Sequence, residues 1–558
     1  MAATAPWRRT TATVLVTVAL VAACSSSDDD AGSSGSAADG ASPAATADTW
    51  HRPTCEVPEA ASAEVAATPV PGVATDVDVT SFDGTVIRAH WFPVAGASAE
   101  APAPTVLMGP GWGQPGDTNT QAVGVLGALN IASLGAAGYN VLTWDPRGFG
   151  ASTGVAMVDS VDFEARDVQQ LLTWLSTRPE AALDTQGDPT SGMIGGSYGG
   201  GIQLVTAAID CRVDALVPVI AWHSLGTSLY KDDTFKQGWA GILSQVAGDS
   251  VDPHVVSANT AGTDTGVLPQ DEVDWFLDRG PADLVGDIAV PTLFVGGTVD
   301  TLFTLDEDVT NHALLRDAGV PTAMFWFCGG HGVCLTDPGD PQPLQTAMIS
   351  WLDRYVKGDE SVDTGAAFTF VDQQGALHTA DGYPPAAGDP VEASGSGTLE
   401  LEPDGGAGPA TIPAGNGELL AGLVAPITPA PAARAVSVAV HVDEEAMIVG
   451  APELTIEYSG TAVDGVRPMR LFAQLVDDST GVVVGNQITP VPVTLDGESH
   501  EATVPLEIVA HRAPAGSTLT LQLVATTPAY GQPRLGGSVE LTDVHISLPV
   551  VTGTSPLG

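Results

Sequence analysis

Residues 191–208 read SGMIGGSYGGGIQLVTAA. A strand-like SGMI runs into Gly195-Gly196-Ser197-Tyr198-Gly199, and a helical apolar pattern follows. Glycines let the chain make the tight turn that carries a strand straight into a helix. A G-x-S-x-G in this setting lifts its serine out of the turn, where a base and a substrate can reach the hydroxyl. The same turn sets the backbone N–H of Tyr198 at a helix N-terminus, where it can donate to a developing oxyanion. With 64 glycines in the chain the motif alone means little. Its strand–turn–helix setting marks Ser197 as a candidate nucleophile.

Outward from this turn, apolar strand-like runs alternate with helical patterns from about Thr75 to Gly358. The runs are VTSFDGTVIRAHWF (a hairpin on Asp83-Gly84), TVLMGP, NVLTWD, ALVPVIAW, PTLFVGG and TAMFWF, with helical stretches such as FEARDVQQLLTWLS from Phe163. That alternation predicts an α/β fold with a largely parallel sheet. The segment from Leu225 to about Leu284 breaks the rhythm with Trp239, Trp275 and Phe276 in helical surroundings, as an inserted cap would. Beyond Lys357 there is no further Lys, and short alternating runs such as LTIEYSG, STLTLQLVAT and VELTDVHISL predict an antiparallel β-sandwich or jelly roll. The expected division is a signal over 1–23, a tether over 24–50, a catalytic α/β domain over 51–358 with its cap at about 225–285, and a β domain over 359–558.

A serine hydroxyl is too weakly acidic to attack unaided and needs a base and a group to orient that base. PTLFVGG ends at Thr298-Val299-Asp300, which places Asp300 beyond a strand's C-terminal end, where catalytic groups collect in open α/β sheets. Asp306, Glu307 and Asp308 fall in the next helical segment and read as a solvated face. TAMFWF leads into Cys328-Gly329-Gly330-His331-Gly332, so His331 sits on a glycine loop at the same sheet edge, while His312 lies in a surface helix. For the second oxyanion donor the candidate is Trp112 in Gly109-Pro110-Gly111-Trp112-Gly113. Arg147 in WDPRGFG reads as a loop tie or a carboxylate binder, and His223 and Phe303 are candidates for the substrate pocket. This chemistry calls for no metal and no organic cofactor.

Arg8 and Arg9, the apolar run TATVLVTVAL and then Val21-Ala22-Ala23-Cys24 form an export signal too short to span a membrane. Its end resembles a bacterial lipobox, which implies lipidation of Cys24 and an anchor on the outer face of the cytoplasmic membrane. Ser25 to about Asp48 is Ser/Gly/Ala/Asp-rich and reads as a tether. Of the other four cysteines, Cys328 and Cys334 lie close enough for local closure, which leaves Cys55 for Cys211; three pairings are formally open. With 19 Lys plus Arg against 67 Asp plus Glu, the net charge of −48 excludes a nucleic-acid partner. The hydrophobic fraction of 44% supplies large cores.

SFDGTVIRAHWFP, WDPRGFGAS, GMIGGSYGG, CRVDALVPVIAW and GGTVDTLF together resemble serine peptidase family S15 and the cocaine-esterase-like CocE/NonD hydrolases. The resemblance implies an α/β-hydrolase core, a helical cap and a galactose-binding-like jelly roll. It implies Ser197, Asp300 and His331 as a triad, with the main chain of Tyr198 in the oxyanion hole. Many relatives add a Tyr hydroxyl after the early strand; here that loop reads GPGWGQPG, so Trp112 or a backbone N–H must substitute. Peptidase members also hold a free amine, and no one of the 67 carboxylates is marked for that task.

The expected activity is therefore a serine hydrolase acting on a small ester, amide or X-Pro peptide through an acyl-enzyme. The alternatives are a carboxylesterase without peptidase activity and a non-catalytic, carbohydrate-binding surface lipoprotein.

Overall fold

The structure is a computed structural model that describes residues 50, 53–59, 64–125, 127–412, 422–463, 468–531 and 533–557. Cys24, the signal and most of the tether lie outside the described residues. The strand-like runs pair into one sheet of twelve strands. Three antiparallel strands open it: β1 (Ala67–Pro69), β2 (Asp76–Thr80) and β3 (Val86–Phe92). The next strands are β4 (Thr105–Gly109), β5 (Asn140–Trp144), β6 (Ser191–Gly196), β7 (Ala215–Val219), β8 (Thr292–Gly297) and β9 (Thr322–Phe327). They are parallel and lie in the order β5-β4-β6-β7-β8-β9. TVLMG, NVLTW, ALVPV and TLFVGG are buried at every residue, as strands covered on both faces must be.

Helices supply that cover. α1 (Ile131–Ala136) and α9 (Gln342–Tyr355) bury Leu134, Met348 and Trp351 on one face of the sheet. α2 (Glu164–Leu175), α3 (Tyr198–Ile209) and α8 (Leu305–Asp317) bury Leu171, Leu204 and Leu315 on the other. Between β7 and β8 the chain leaves the sheet for four helices: α4 (Leu225–Leu229), α5 (Gln237–Ala247), α6 (Pro253–Thr265) and α7 (Gln270–Leu277). α6 is bounded as its sequence dictates: Asp252 caps the His254 N–H, Pro253 stands in the first turn, and Gly266 ends the helix at φ 70°.

The catalytic sheet does not stop at Gly358. β10 (Phe368–Val371) adds in parallel to β9, β11 (Leu377–Ala380) follows antiparallel, and Ser555–Pro556 closes the edge. β10 and β11 carry the buried Phe368, Phe370 and Ala380, so they complete the core rather than link two domains. Beyond them the strands of the described residues pair antiparallel. β12 (Val391–Glu400), β13 (Val436–Val442), β14 (Glu453–Ala462), β15 (Pro468–Asp477), β16 (Thr489–Thr494), β17 (Asp496–Pro505), β18 (Ser517–Val524) and β19 (Gly537–Leu548) form two sheets that share one apolar core. β13 alternates buried and exposed along its whole length, the signature of a strand with one wet face. Val449, Ile508 and Ala510 of this region also join the core of the α/β unit. The expected fold class is borne out: an α/β hydrolase with a helical insertion and a C-terminal all-β region.

Candidate active site

The serine turn depends on the absence of side chains around it. A Cβ on Gly199 would lie 2.2 Å from the Gly109 carbonyl oxygen, and one on Gly195 would lie 2.5 Å from the Gly199 carbonyl oxygen. Only glycine lets the start of α3 sit directly on β4 and β6. Ser197 itself adopts φ 57°, ψ −118°, with its N–H donating to Val219 O at 2.8 Å. A non-glycine residue there costs about 1–3 kcal/mol of backbone strain, which the surrounding contacts must offset. The N–H of Tyr198 opens α3 and so has no carbonyl partner within the helix.

Asp300 and His331 arrive from the C-terminal ends of β8 and β9, two and three strands away in order from β6. His331 Nε2 lies 2.8 Å from Ser197 Oγ, and His331 Nδ1 lies 2.6 Å from Asp300 Oδ2. The carboxylate also accepts the N–H groups of His331 at 2.7 Å, Leu302 at 2.7 Å and Phe303 at 2.9 Å. Those backbone donors fix it so that one oxygen faces the imidazole. Ser197 is 8% exposed, His331 2% and Asp300 0%. The imidazole is wedged edge-on between Trp239, with ring centroids 5.6 Å apart, and Phe303, at 5.1 Å. Cys328 and Cys334 are joined by a disulfide and close the His331 loop; Cys55 and Cys211 are joined as well.

Sequence reasoning missed the outer supports of these loops. Gln487 donates to the Asp300 carbonyl, and Asn486 donates to Val333 O at 3.0 Å, both from the all-β region. From the cap, the Lys236 ammonium reaches Leu302 O at 2.9 Å. Lys236 is fully enclosed, and burial lowers its pKa to about 8 despite nearby acids. Glu507 accepts Lys231 Nζ at 2.6 Å and Thr304 Oγ1 at 2.7 Å, joining cap, core and β region under the acid loop. No local pattern could flag these residues, because each matters only through a loop far away in sequence.

Ser197 faces a cavity lined by Trp112, Tyr198, Trp222, Phe303 and the cap helices. Phe303 is part of that wall. His223 does not line the cavity: its Nδ1 meets Asn311 Oδ1 at 2.9 Å and its N–H donates to Glu307 at 2.6 Å. Trp112 is in the wall, but its indole N–H donates to Leu243 O at 3.0 Å, leaving only its backbone for an oxyanion. Asp306, Glu307 and Asp308 are buried, not a solvated face. Glu307 accepts the N–H groups of His223 and Ser224 and the hydroxyls of Thr227 and Ser228, while Lys231 approaches Asp306 to 3.6 Å. His312 is buried too, which lowers its pKa to about 4. Arg147 is a loop tie, chelating Asp167 through two 2.7 Å bonds and reaching Asp83 at 3.0 Å.

Behind Tyr198 lies a second group of acids. Glu164 accepts Met157 N–H at 2.6 Å, Ser160 N–H at 2.9 Å and the Tyr198 hydroxyl at 3.3 Å. Burial raises its pKa to about 7. Asp159 is fully buried beside it at φ 48°, and burial pushes its carboxyl well above the usual range.

Residues 83–332 match the family model X-Pro dipeptidyl-peptidase (S15 family). Solved structures of the same overall fold include a CocE/NonD family hydrolase from Staphylococcus aureus, 13% identical, covering 86% of this chain and 93% of that one at a TM-score of 0.62. An aminopeptidase from a marine sediment Thaumarchaeota archaeon is 14% identical, covering 91% and 100% at 0.64. An α-amino acid ester hydrolase is 12% identical, covering 90% and 99% at 0.61. No curated protein sequence matches significantly. The resemblance to S15 and CocE/NonD hydrolases thus holds, and the coarse class is a serine hydrolase of the esterase or peptidase kind.

Proposed function

We propose that Ser197, His331 and Asp300 form a catalytic triad that transfers an acyl group from an ester, amide or X-Pro peptide bond to water. The observation that carries this reading is the unbroken chain Ser197 Oγ–His331–Asp300, at 2.8 and 2.6 Å, on three loops at one sheet edge. His331 Nε2 takes the hydroxyl proton as Ser197 Oγ bonds to the carbonyl carbon, and the carbonyl oxygen becomes an oxyanion. The Tyr198 N–H receives that oxyanion, with a backbone N–H of the 109–113 loop as the second donor. Collapse breaks the bond to the leaving group, which departs with the proton from His331. Water then attacks the acyl carbon, giving its proton to His331, and Ser197 Oγ leaves as the hydroxyl.

Incubation of the purified protein with a fluorophosphonate should label Ser197, and Ser197→Ala should abolish both labelling and turnover. A folded wild-type protein that takes no label would instead support a binding role for the β region.

We also infer an exported protein, anchored by lipid on Cys24 at the outer face of a cytoplasmic membrane. Val21-Ala22-Ala23-Cys24 supports this, as do two disulfides, which suit an oxidising compartment. Metabolic labelling with a fatty acid should be lost in Cys24→Ser; equal labelling of both would overturn the anchor.

A further inference from the structure

The space above Ser197 is chemically one-sided. Its wall is aromatic beside the serine, with Trp112, Trp222 and Phe303, and continues into the cap as Leu225, Leu243 and Leu268. No charged side chain lines it among the described residues. Most of the acids around it are turned to other uses. Glu307 is saturated by four chain donors, and Glu272 pairs with His254 at 2.8 Å. Glu164 is held by two N–H groups and a phenol behind the Tyr198 ring; Asp159 lies there too with both oxygens buried and unpartnered, but it is off the cavity wall and burial favours its neutral form. An ammonium group drawn into this space would lose its water and find no counter-charge, which expels it.

We propose that the cavity is an acyl pocket for uncharged esters with an extended hydrocarbon acyl chain, and that it rejects substrates carrying a free amine beside the scissile bond. The proposal rests on Ser197 as the nucleophile. It separates this site from the dipeptidyl-peptidase activity in the matched family's description, which needs a free N-terminus. Selectivity here comes from area: each further methylene taken from water should raise kcat/KM about three- to fourfold until the cavity is full. Ala258, on the cap wall of the cavity, is the place where a larger side chain would shorten the accepted chain.

The experiment uses the purified full-length protein and p-nitrophenyl esters from acetyl through butyryl and hexanoyl to octanoyl. Beside these, the 4-methylpentanoyl ester is compared with the leucyl ester, which differs only by its α-ammonium, and an Ala-Pro anilide is assayed. The expected result is a rise with chain length and at least a hundredfold preference for 4-methylpentanoyl over leucyl. Ala258→Phe should lower the octanoyl-to-acetyl ratio at least tenfold. A flat length series, or a leucyl ester or Ala-Pro anilide as the better substrate, overturns the acyl pocket. Fluorophosphonate labelling read in parallel keeps the two proposals apart. If Ser197 takes the label and the length series fails, only the pocket is wrong; if it takes none, the triad reading fails with it.

Discussion

The two walls of the active site are built on opposite principles. Around Asp300 and His331 most supports are directional hydrogen bonds, and several come from sequence far away: Gln487 and Asn486 from the β region, Lys236 from the cap. Across the cavity the cap offers almost nothing but apolar surface. A triad works only within a few tenths of an ångström, which demands bonds of fixed length and angle. A pocket for a hydrocarbon needs volume and dryness, which packing alone provides. Damage to the first wall should therefore appear in kcat, and damage to the second in selectivity among substrates.

The sharpest way to break this contrast is to attack the polar wall at its centre. Asp300→Asn keeps the shape of the site but presents the wrong hydrogen-bond partner to His331, and kcat should fall about 10³- to 10⁴-fold. A loss of less than tenfold, measured with any turned-over ester, would mean that the directional wall is not what sets the rate.

The apolar wall has a polar underside, and pH should expose it. Glu164 has a folded pKa of about 7 against an ordinary 4.5, so the folded state holds its proton more tightly than the unfolded chain. Its contribution to stability is full below about pH 4.5 and declines as pH rises through about 7, by about 3 kcal/mol at most. Glu164→Gln should flatten denaturation midpoints across that window, and an unchanged slope would remove Glu164 as its source.

A milder test removes one remote support. Gln487→Leu leaves the Asp300 carbonyl buried without that donor, a loss of about 1–3 kcal/mol. If the bond positions the acid loop, kcat should drop about tenfold to a hundredfold with KM nearly unchanged. A purely structural role would lower the melting temperature and leave kcat intact. The smallest effect concerns a polar atom in the apolar wall. Asn259 lines the cavity with its side-chain oxygen buried and unpaired. Asn259→Leu should raise kcat/KM for the octanoyl ester about two- to fivefold by removing a polar atom that a hydrocarbon chain would have to cover. A fall instead would mean that the amide bonds to the substrate.

The same contrast governs how much of the molecule could be read in advance. The convergence of Ser197, Asp300 and His331 was legible because each follows a strongly apolar strand, and strand order brings their loops to one edge. The burial of Asp306, Glu307 and Asp308 was not, because α8 carries an acidic first turn that looks wet in isolation. It is dry because Ser224, Thr227 and Ser228 of the cap and Lys231 close over it. His223 misled for the same reason: it ends a strand at the expected edge, yet Glu307 and Asn311 hold it away from the cavity. Nor did anything after Gly358 announce that Phe368–Val371 would rejoin the catalytic sheet, since a short apolar strand fits either kind of layer.

α3 begins directly after Ser197 and ends at Ile209, two residues before Cys211, which is bonded to Cys55. Twelve residues of helix span about 18 Å. Ser197 and the attachment of the N-terminal arm thus occupy opposite ends of one rigid rod. A pull on that arm would enter the molecule through Cys211, at the end of α3 remote from Ser197.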